Sequence, residues 1–381
     1  MTPKLNRRDW LRTAGLTALG AGLAGRDRML GAELPEATRE FREINLAGNE
    51  NPFGPSPAVV QAIFRAAPNS SRYPFREELV LKELLAKKEG VAPDHIVLGN
   101  GCDEILSLAA AARLAPGTNL IAARPTYFQI TDYAEKLGAG IRWVPHVAAT
   151  MQHDLRAMAA AVDDHTRLVY VCNPDNPTGT LRPPEEIAAF CREVAPRAPV
   201  FLDEVYLELA EDFPGQTQVP LVRAGLPVII GRSFSKLYGM AGHRIGYAVT
   251  TPALAEALTK FQMSSVNYLG VAAARAALAD VKFAEWSRGK IREGRARFCG
   301  LLGELGLRFT PSQGNFVFHY TGVPMSEYQK RMEARGFLVG WPHPSVPPYD
   351  QWCRISIGTD EEMAAYATAM REEFSGRRTS A

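Results

Sequence analysis

Short apolar segments rich in β-branched residues alternate with helical stretches through the middle of this chain of 381 residues. The segments are hydrophobic along nearly their whole length, which indicates strands buried on both faces of a sheet. Because helices separate them, the strands are expected to run mostly parallel. The predicted strands are Ile96–Leu98, Asn119–Ala122, Leu168–Cys172, Val200–Asp203, Val228–Ile230 and Ile245–Val249. The pattern predicts an α/β fold with a large domain over residues 60–275, in which helices flank the sheet.

The chain has a different pattern on either side of this domain. Phe283–Leu305 has the period of a long amphipathic helix, and Asn315–His319 and Arg354–Ile357 have the character of strands. Residues 276–381 are therefore predicted to form a smaller α+β domain. Residues 33–59 are rich in Pro, Asn and Gly, which predicts an irregular surface arm that belongs partly to the small domain.

The composition excludes several classes of protein. The chain has 43 Lys and Arg against 41 Asp and Glu and is 46% hydrophobic, so it has neither a disordered composition nor the strongly basic character of a nucleic-acid-binding protein. Six basic and two acidic side chains fall in residues 1–32, so the small positive excess comes from this segment. We expect no nucleic-acid partner.

The first 32 residues have the features of a targeting signal. Arg7 and Arg8 precede an uncharged run rich in Ala, Gly and Leu from Thr13 to Gly25, and small residues follow at Gly31 and Ala32. This segment resembles a signal for the twin-arginine (Tat) translocase. The run is shorter than the roughly 20 apolar residues that span a bilayer. We expect a cleaved signal, a periplasmic location and no stable membrane insertion; the alternative is a cytoplasmic protein whose leader is not functional.

The five cysteines show no CxxC pair and no ligand spacing with histidine. This pattern disfavours a structural zinc site, and no metal site is predicted. An odd number of cysteines in apolar segments is typical of buried thiols rather than of disulfides.

Polar residues concentrate just after the predicted strands, where the loops of a parallel sheet converge. Gly99–Glu104 joins a strand to a helix and can bind a phosphate through backbone N–H groups, although a tight turn explains it equally well. Asn173–Gly179 is a run of turn formers. Asp203 ends an apolar strand, and a carboxylate in that position usually has a cationic partner. Lys236 lies beside two serines, which suits either phosphate binding or a nucleophilic amine.

Taken together, the order and spacing of these loops resemble the fold type I pyridoxal-phosphate enzymes, within them the class I and II aminotransferases, and most closely the histidinol-phosphate aminotransferase branch. The resemblance covers about residues 45–365. The matching segments are Asn49–Pro52, Arg72–Pro74, Gly99–Glu104, Arg124–Tyr127, Asn173–Gly179, Asp203–Tyr206, Ser233–Lys236 and Arg354–Gly358.

The resemblance implies a catalytic role for four residues that contact pyridoxal 5′-phosphate. Lys236 would hold the cofactor as a Schiff base and, once released, move a proton. Asp203 would pair with the pyridinium nitrogen, while Asn176 and Tyr206 would donate hydrogen bonds to the phenolate oxygen. Tyr127 would stack on the cofactor ring.

The resemblance also implies the groups that bind the cofactor phosphate and the substrate. The phosphate set is Gly101, Cys102, Asp103, Ser233, Ser235 and Arg244. Tyr73 would reach the phosphate of a neighbouring subunit, which implies a homodimer with shared active sites. Arg354 would bind the substrate α-carboxylate in a bidentate manner, and Asn49 and Asn51 lie on the arm that would cover the substrate.

The chain departs from the branch where the substrate phosphate would bind. The stretch Gly336–Trp341 has no Arg, and Asn51 stands where an aromatic hydroxyl can occur. Trp341 and Pro342 instead favour an uncharged or aromatic side chain, unless a shifted alignment makes His343 a donor. The main expectation is therefore an aminotransferase that moves an amino group between such an amino acid and a 2-oxo acid.

Three alternatives stay open from the sequence. One is histidinol-phosphate transamination, and another is a different pyridoxal-phosphate reaction, by a decarboxylase, lyase or cyclase, because the fold does not fix the reaction. A binding or regulatory module without turnover is the third and is disfavoured by the complete set of Lys236, Asp203 and Arg354. An NAD-binding enzyme is also disfavoured, because no Gly-x-Gly-x-x-Gly motif follows the first strand.

Overall fold

The computed structural model describes residues 43–340 and 347–375. The predicted signal peptide, residues 33–42 of the predicted arm, and Trp341, Pro342 and His343 lie outside the described residues. These described residues form one compact unit. In the described ranges, no helix combines the length and the apolar character needed to cross a membrane.

The regular elements of the described chain are strands and helices of ordinary length. The strands are β1 (Ile44–Asn45), β2 (Ile96–Gly99), β3 (Asn119–Arg124), β4 (Gly140–Pro145), β5 (Thr166–Cys172), β6 (Val200–Asp203), β7 (Val228–Ser233), β8 (Gly246–Thr250), β9 (Phe316–Tyr320), β10 (Phe337–Leu338) and β11 (Trp352–Ser356). The helices are α1 (Pro57–Ala66), α2 (Phe75–Glu89), α3 (Cys102–Arg113), α4 (Gln129–Lys136), α5 (Leu155–Ala160), α6 (Pro184–Val194), α7 (Val219–Arg223), α8 (Pro252–Thr259), α9 (Tyr268–Ala279), α10 (Val281–Glu304), α11 (Met325–Glu333) and α12 (Asp360–Phe374).

A seven-stranded sheet forms the centre of the molecule, in the order β2-β8-β7-β6-β5-β3-β4. The pairs β3–β4, β3–β5, β5–β6 and β6–β7 are parallel, and β8 runs antiparallel to both β7 and β2. Strand β2 therefore points the same way as the parallel strands. The predicted α/β fold with a mostly parallel sheet is confirmed.

Helices bury both faces of this sheet. Alternate residues of one strand enter different cores: Val169 and Val171 of β5 pack in one cluster, and Leu168 and Tyr170 pack in the other. The first cluster includes side chains of α2, α6 and α9, and the second includes side chains of α3, α4 and α8. Burial on both sides explains why these strands are hydrophobic throughout.

Two small sheets lie in and beside the C-terminal part of the chain. Strands β9 and β11 are antiparallel, and β1 of the N-terminal arm pairs in parallel with β10. A third core joins α10, α11 and α12 to these strands. Helix α12 begins with a capping box, in which Thr359 and Glu362 bond each other's backbone N–H groups. The predicted boundary near residue 275 stays a prediction.

The sequence pattern misses one strand of the central sheet. Strand β4 lies at the edge and its burial is irregular, with Val144 buried and Trp143 exposed. An edge strand that is covered on one side only does not produce a continuous apolar run, which is the signal that predicts the other strands.

Candidate active site

Loops from the parallel strands converge at the carboxyl edge of the sheet. Helix α3 begins there, directly after Gly101, whose φ of 84° lies in the region that favours glycine. A Cβ at this position would collide with the Arg244 guanidinium. Glycine therefore allows the arginine to lie against the helix N-terminus.

The converging loops enclose a cavity of about 210 Å³, called here the inner cavity. Twelve residues predicted from the sequence line it: Asn49, Cys102, Asp103, Tyr127, Asn176, Asp203, Tyr206, Ser233, Ser235, Lys236, Arg244 and Arg354. They come from the arm, from five strand ends and from β11, so the fold brings together side chains that are far apart in sequence.

Lys236 enters the inner cavity from the loop after β7. Its Nζ donates a hydrogen bond to the Asn49 carbonyl oxygen at 3.0 Å and lies 5.3 Å from the centre of the Tyr206 ring. Burial, aided by the positive charge of Arg354, lowers the pKa of Lys236 to about 8. The lowered pKa increases the fraction of neutral amine, which is the form that acts as a nucleophile or a base.

Asp203 is buried at the end of β6. The Tyr170 hydroxyl donates to its Oδ2 at 2.8 Å, and the Val205 N–H donates to its Oδ1 at 3.3 Å. Burial raises the pKa of Asp203 to about 6, although both hydrogen bonds oppose the rise. At neutral pH the group is mostly ionised and offers a negative charge to a cationic atom in the cavity.

A chain of hydrogen bonds links the arm to β11 across the cavity. The side-chain amides of Asn49 and Asn176 donate to the Tyr206 hydroxyl oxygen at 3.0 and 3.4 Å. Arg354 Nη1 donates to Asn176 Oδ1 at 2.7 Å, and its Nη2 donates to the carbonyl oxygen of Ala47. Burial raises the pKa of Tyr206, so the phenol keeps its hydrogen for donation to another group.

The opposite end of the cavity carries the donors of an anion site. Arg244 Nη2 pairs with Asp103 Oδ2 at 2.9 Å, and Tyr127 donates to Asp103 Oδ1 at 2.9 Å. The Ser233 hydroxyl accepts a hydrogen bond from the Ser235 N–H at 3.1 Å, which holds both serines at the cavity. A guanidinium, hydroxyls and a helix N-terminus form the donor set that suits a phosphate.

Besides Gly101, which precedes α3, two predicted residues do not line either cavity of this chain. The Asn51 amide nitrogen donates to the Leu237 carbonyl oxygen and to Ser287 Oγ, both at 2.8 Å, so it anchors the arm to the body of the protein. Tyr73 is 78% exposed and stacks on Phe75. An exposed position is required if Tyr73 acts in the site of a second subunit.

Two buried polar residues beside the site were not predicted. Tyr170 donates to Asp203, and the Asn315 amide donates to the carbonyl oxygens of Asn49 and Glu50. No local signal in the sequence marks Tyr170: its position follows from the register, in which Cys172 pairs with Asp203 and Tyr170 is two residues earlier on the same face. For Asn315 we find no signal either.

A second cavity of about 410 Å³, called here the outer cavity, adjoins the first. Tyr127, Asn176 and Arg354 line both. The rest of the outer cavity has an aromatic part and a charged part. The aromatic part is Phe128, Trp143, Phe318, Tyr349 and Trp352, and the charged part is Arg124, Asp132 and Glu135.

Comparison with known proteins identifies the family. Residues 42–370 match the family described as aminotransferase class I and II. This chain belongs to that family. The match begins beyond the predicted signal peptide, and within it lie all the residues that line the inner cavity.

Relatives of this aminotransferase are similar over most of their length. Histidinol-phosphate aminotransferase of Moorella thermoacetica is 38% identical over 349 residues, covering 90% of this chain and 89% of the relative. Histidinol-phosphate aminotransferase 2 of Pseudomonas fluorescens is 40% identical over 330 residues, covering 86% and 88%. The crystal structure of histidinol-phosphate aminotransferase from Sinorhizobium meliloti in complex with pyridoxal 5′-phosphate has a TM-score of 0.79 and 32% identity, covering 87% of this chain and 91% of that chain.

The aminotransferase has the type I fold of pyridoxal-phosphate-dependent transferases, and its cofactor is pyridoxal 5′-phosphate. The inner cavity has the donor set for this group. Arg244, the two serines and the start of α3 suit its phosphate, and buried Asp203 suits its ring nitrogen. Lys236 provides an amine of lowered pKa between these ends.

Proposed function

We propose that this enzyme transfers the amino group of histidinol phosphate to a 2-oxo acid. The general reaction rests on one observation, which is that Lys236, Asp203 and Arg354 line the same cavity. The choice of substrate is supported by the relatives, which carry the name histidinol-phosphate aminotransferase over about nine-tenths of this chain. Because they are named aminotransferases, they favour transamination over decarboxylation, elimination or cyclisation.

Four residues of the inner cavity have catalytic tasks in this proposal. Pyridoxal phosphate, when bound, supplies an electron sink for the negative charge that develops at the substrate α-carbon. Lys236 Nζ would accept the proton from that carbon and deliver it to the cofactor carbon on the other side of the amino nitrogen. Asp203 would keep the ring nitrogen protonated, and Tyr206 and Asn176 would donate to the ring oxygen.

Arg354 is the candidate for binding a substrate α-carboxylate. It lines both cavities and already holds Asn176, so it lies between the cofactor side and the substrate side. Its guanidinium is planar and offers two parallel donors, which match a carboxylate. The 2-oxo acid of the second half-reaction carries this group.

The outer cavity has groups that suit a phosphorylated imidazole substrate. Arg124 supplies a second guanidinium there, held 5.4 Å from the centre of the Trp143 ring. Arg124 would donate hydrogen bonds to the substrate phosphate, a role for which the stretch Gly336–Trp341 contains no arginine. Asp132 and Glu135 are acceptors for an imidazole N–H, and the aromatic walls suit a flat ring.

Transamination of an amino acid with an aromatic or uncharged side chain is the second candidate. It is favoured by the aromatic part of the outer cavity, in which Phe318 stacks on Trp352 with ring centres 5.2 Å apart. Such a surface binds a phenyl or indole ring without needing any charge.

A donor panel separates the two candidates. The purified enzyme is mixed with histidinol phosphate, histidinol, phenylalanine or tyrosine, and loss of the cofactor aldehyde absorbance is followed, then its return with 2-oxoglutarate. We expect the highest kcat/KM for histidinol phosphate, well above that for histidinol. A higher value for phenylalanine or tyrosine would favour the second candidate.

The variant Arg124→Gln tests the phosphate contact directly. Losing a hydrogen bond to a charged group should lower the kcat/KM ratio of histidinol phosphate to histidinol by roughly 10- to 100-fold. The control is Arg142→Gln, which removes a guanidinium paired with Asp163 in the loop before β5. An unchanged ratio in Arg124→Gln would remove this residue from phosphate binding.

We also propose a homodimer and export by the Tat translocase. The dimer is supported by exposed apolar side chains at the start of α2 and beside it: Phe64 (49%), Tyr73 (78%), Phe75 (65%) and Leu79 (62%). Export rests on the paired arginines of the leader. Export of a folded protein would allow the cofactor to be loaded first.

A further inference from the structure

Three buried side chains meet behind the loop that carries Asn176. His146 directly follows β4, His153 precedes α5, and Asp175 directly precedes Asn176. One ligand-type atom from each lies within 4.8 Å of those of the other two. The exposed fraction of each side chain is at most 1%. None of the three lines the inner or the outer cavity.

The Asp175 carboxylate is buried without an ordinary cationic partner. Thr178 Oγ1 donates to it at 2.8 Å and Thr126 Oγ1 at 3.3 Å. Within the part of the chain that the structure describes, its ion-pair partners are His146 and His153, with no lysine or arginine. Buried charges are normally paired with an opposite charge or bound to a metal ion. The Asp175 carboxylate therefore lacks a positive charge to balance it.

The two histidines have buried ring nitrogens that form no hydrogen bond with any described group. These are Nδ1 and Nε2 of His146 and Nδ1 of His153. A neutral imidazole with a free lone pair is a metal ligand, and buried polar nitrogens are rarely left without a partner.

The spacing suits coordination better than a hydrogen bond. His146 Nε2 lies 3.6 Å from Asp175 Oδ2, beyond a good hydrogen bond. Two ligands that are each about 2.1 Å from a tetrahedral ion lie about 3.4 Å apart. His153 Nε2 lies 2.8 Å from the Cys172 carbonyl oxygen. Ligating histidines commonly donate to a backbone carbonyl in this way through their second nitrogen, so Nδ1, which forms no hydrogen bond, is the ligand atom of His153.

We propose that His146, His153 and Asp175 bind a divalent transition-metal ion of the zinc type, outside the cofactor cavity. Two imidazoles and a carboxylate are a ligand set that zinc accepts, with one position left for water or a hydroxyl. Tyr349 lies next to the cluster and also lines the outer cavity, and its ring centre is 6.2 Å from that of His146.

The ion would fix the loop that contributes Asn176. Asp175 is adjacent to Asn176, which contacts both Tyr206 and Arg354. The sequence predicts no metal because it shows no ligand spacing between cysteine and histidine. The three ligands proposed here come from separate segments that only the fold brings together.

Zinc binding by the cofactor-loaded enzyme tests the proposal. The enzyme is treated with a chelator, gel-filtered, incubated with Zn²⁺, freed of unbound metal and analysed for zinc content and for Tm. We expect about one ion per chain and a higher Tm, because an ion that binds the folded state stabilises it. Wild-type enzyme that retains no zinc and shows no change in Tm would overturn the proposal.

Variants locate the ion. His146→Gln and Asp175→Asn should each weaken zinc binding by at least ~10-fold and remove the rise in Tm. His165→Gln changes an exposed histidine and should bind zinc like the wild type. If His146→Gln retains as much zinc as the wild type, the ion lies elsewhere and the proposal fails. If Asp175→Asn does not fold, His153→Gln takes its place. Donor kinetics are not part of this readout, so the result is independent of the substrate proposal.

Discussion

The Tyr170 hydroxyl donates a hydrogen bond of 2.8 Å to Asp203 Oδ2, and both side chains are buried in the sheet. Tyr170 lies on β5, in the core on one face, and its hydroxyl reaches the end of the adjacent β6. The bond stabilises the ionised carboxylate and so limits the rise of the Asp203 pKa that burial causes. A tyrosine in the core thus influences the ionisation of the carboxylate that would pair with the cofactor ring nitrogen.

Removing this bond should change the pH dependence of cofactor binding. In Tyr170→Phe the pKa of Asp203 should rise further above its ordinary value, by about one unit. Because a protonated carboxyl cannot pair with a cationic nitrogen, cofactor affinity should begin to fall at a higher pH than in the wild type. Titration of the apoenzyme with pyridoxal phosphate across a range that brackets pH 6 measures this.

The comparison with the wild type removes one ambiguity, since the cofactor's own titration affects both proteins equally. Tyr328→Phe is the matched control, because its hydroxyl contacts Tyr366 in the C-terminal core rather than Asp203. If the curves of Tyr170→Phe and the wild type coincide, the hydrogen bond does not set the Asp203 charge.

Lys236 should control the rate of cofactor loading through its own charge. The pKa is about 8, so the reactive neutral amine increases as pH rises through this value and the loading rate should rise with it. In Arg354→Gln the nearby positive charge is lost, the ammonium becomes easier to form, and the rise should move to higher pH. Stopped-flow mixing of apoenzyme and cofactor measures the profile.

Arg308→Gln loses the same charge at a position stacked on Tyr320 and serves as the control. A profile of Arg354→Gln that matches this control would show that Arg354 does not influence Lys236.

The sequence predicted most clearly those site residues in which an unusual polar side chain lies at or just after the end of an apolar strand. Asp203 ends an apolar strand and Lys236 follows another. The carboxyl ends of parallel strands lie along the same edge of the sheet. Periodicity also predicted the long helix α10 to within a few residues. Both signals are local, so they can be read along the chain.

Contacts between distant segments could not be predicted in this way. Asn51 belongs to a recognisable motif, yet its amide bonds Leu237 and Ser287, and nothing near it in sequence indicates these partners. The cluster of His146, His153 and Asp175 depends on the register between neighbouring strands and loops. Such contacts are set by tertiary packing.

Arg354→Lys should raise the KM for the 2-oxo acid. Lysine keeps the positive charge but replaces two parallel donors by one point charge, so roughly 10- to 100-fold weaker binding is expected. The effect on kcat should be smaller if the contact is similar in the ground state and the transition state. Steady-state kinetics with 2-oxoglutarate give both values, and an unchanged KM would contradict carboxylate binding by Arg354.

Arg7 and Arg8 should direct export. With both changed to lysine, the enzyme should stay in the cytoplasmic fraction, whereas the wild type should be periplasmic and shortened. Arg26 and Arg28 changed to lysine give the control, because they lie in the same leader but outside the pair. Wild-type enzyme found only in the cytoplasm, at full length, would mean that the leader is not a signal.

Mixed dimers should reveal whether Tyr73 acts in the neighbouring site. Tyr73→Ala and Lys236→Ala are each expected to be poorly active as homodimers, the first through weak phosphate binding and the second through loss of the amine. In a mixed dimer with shared sites, one site contains both defects and the other contains neither. Random mixing should therefore restore roughly a quarter of the wild-type activity.

The size of this recovery distinguishes shared from separate sites. If Tyr73 served its own chain, every site in a mixed dimer would carry one defect, and mixing would restore nothing. Phe75→Ala is a useful control, because Phe75 stacks on Tyr73 but carries no hydroxyl. As a homodimer it loses the aromatic packing and keeps the Tyr73 hydroxyl, so activity well above that of Tyr73→Ala would assign the defect of Tyr73→Ala to the phosphate contact, and an equal loss would assign it to packing.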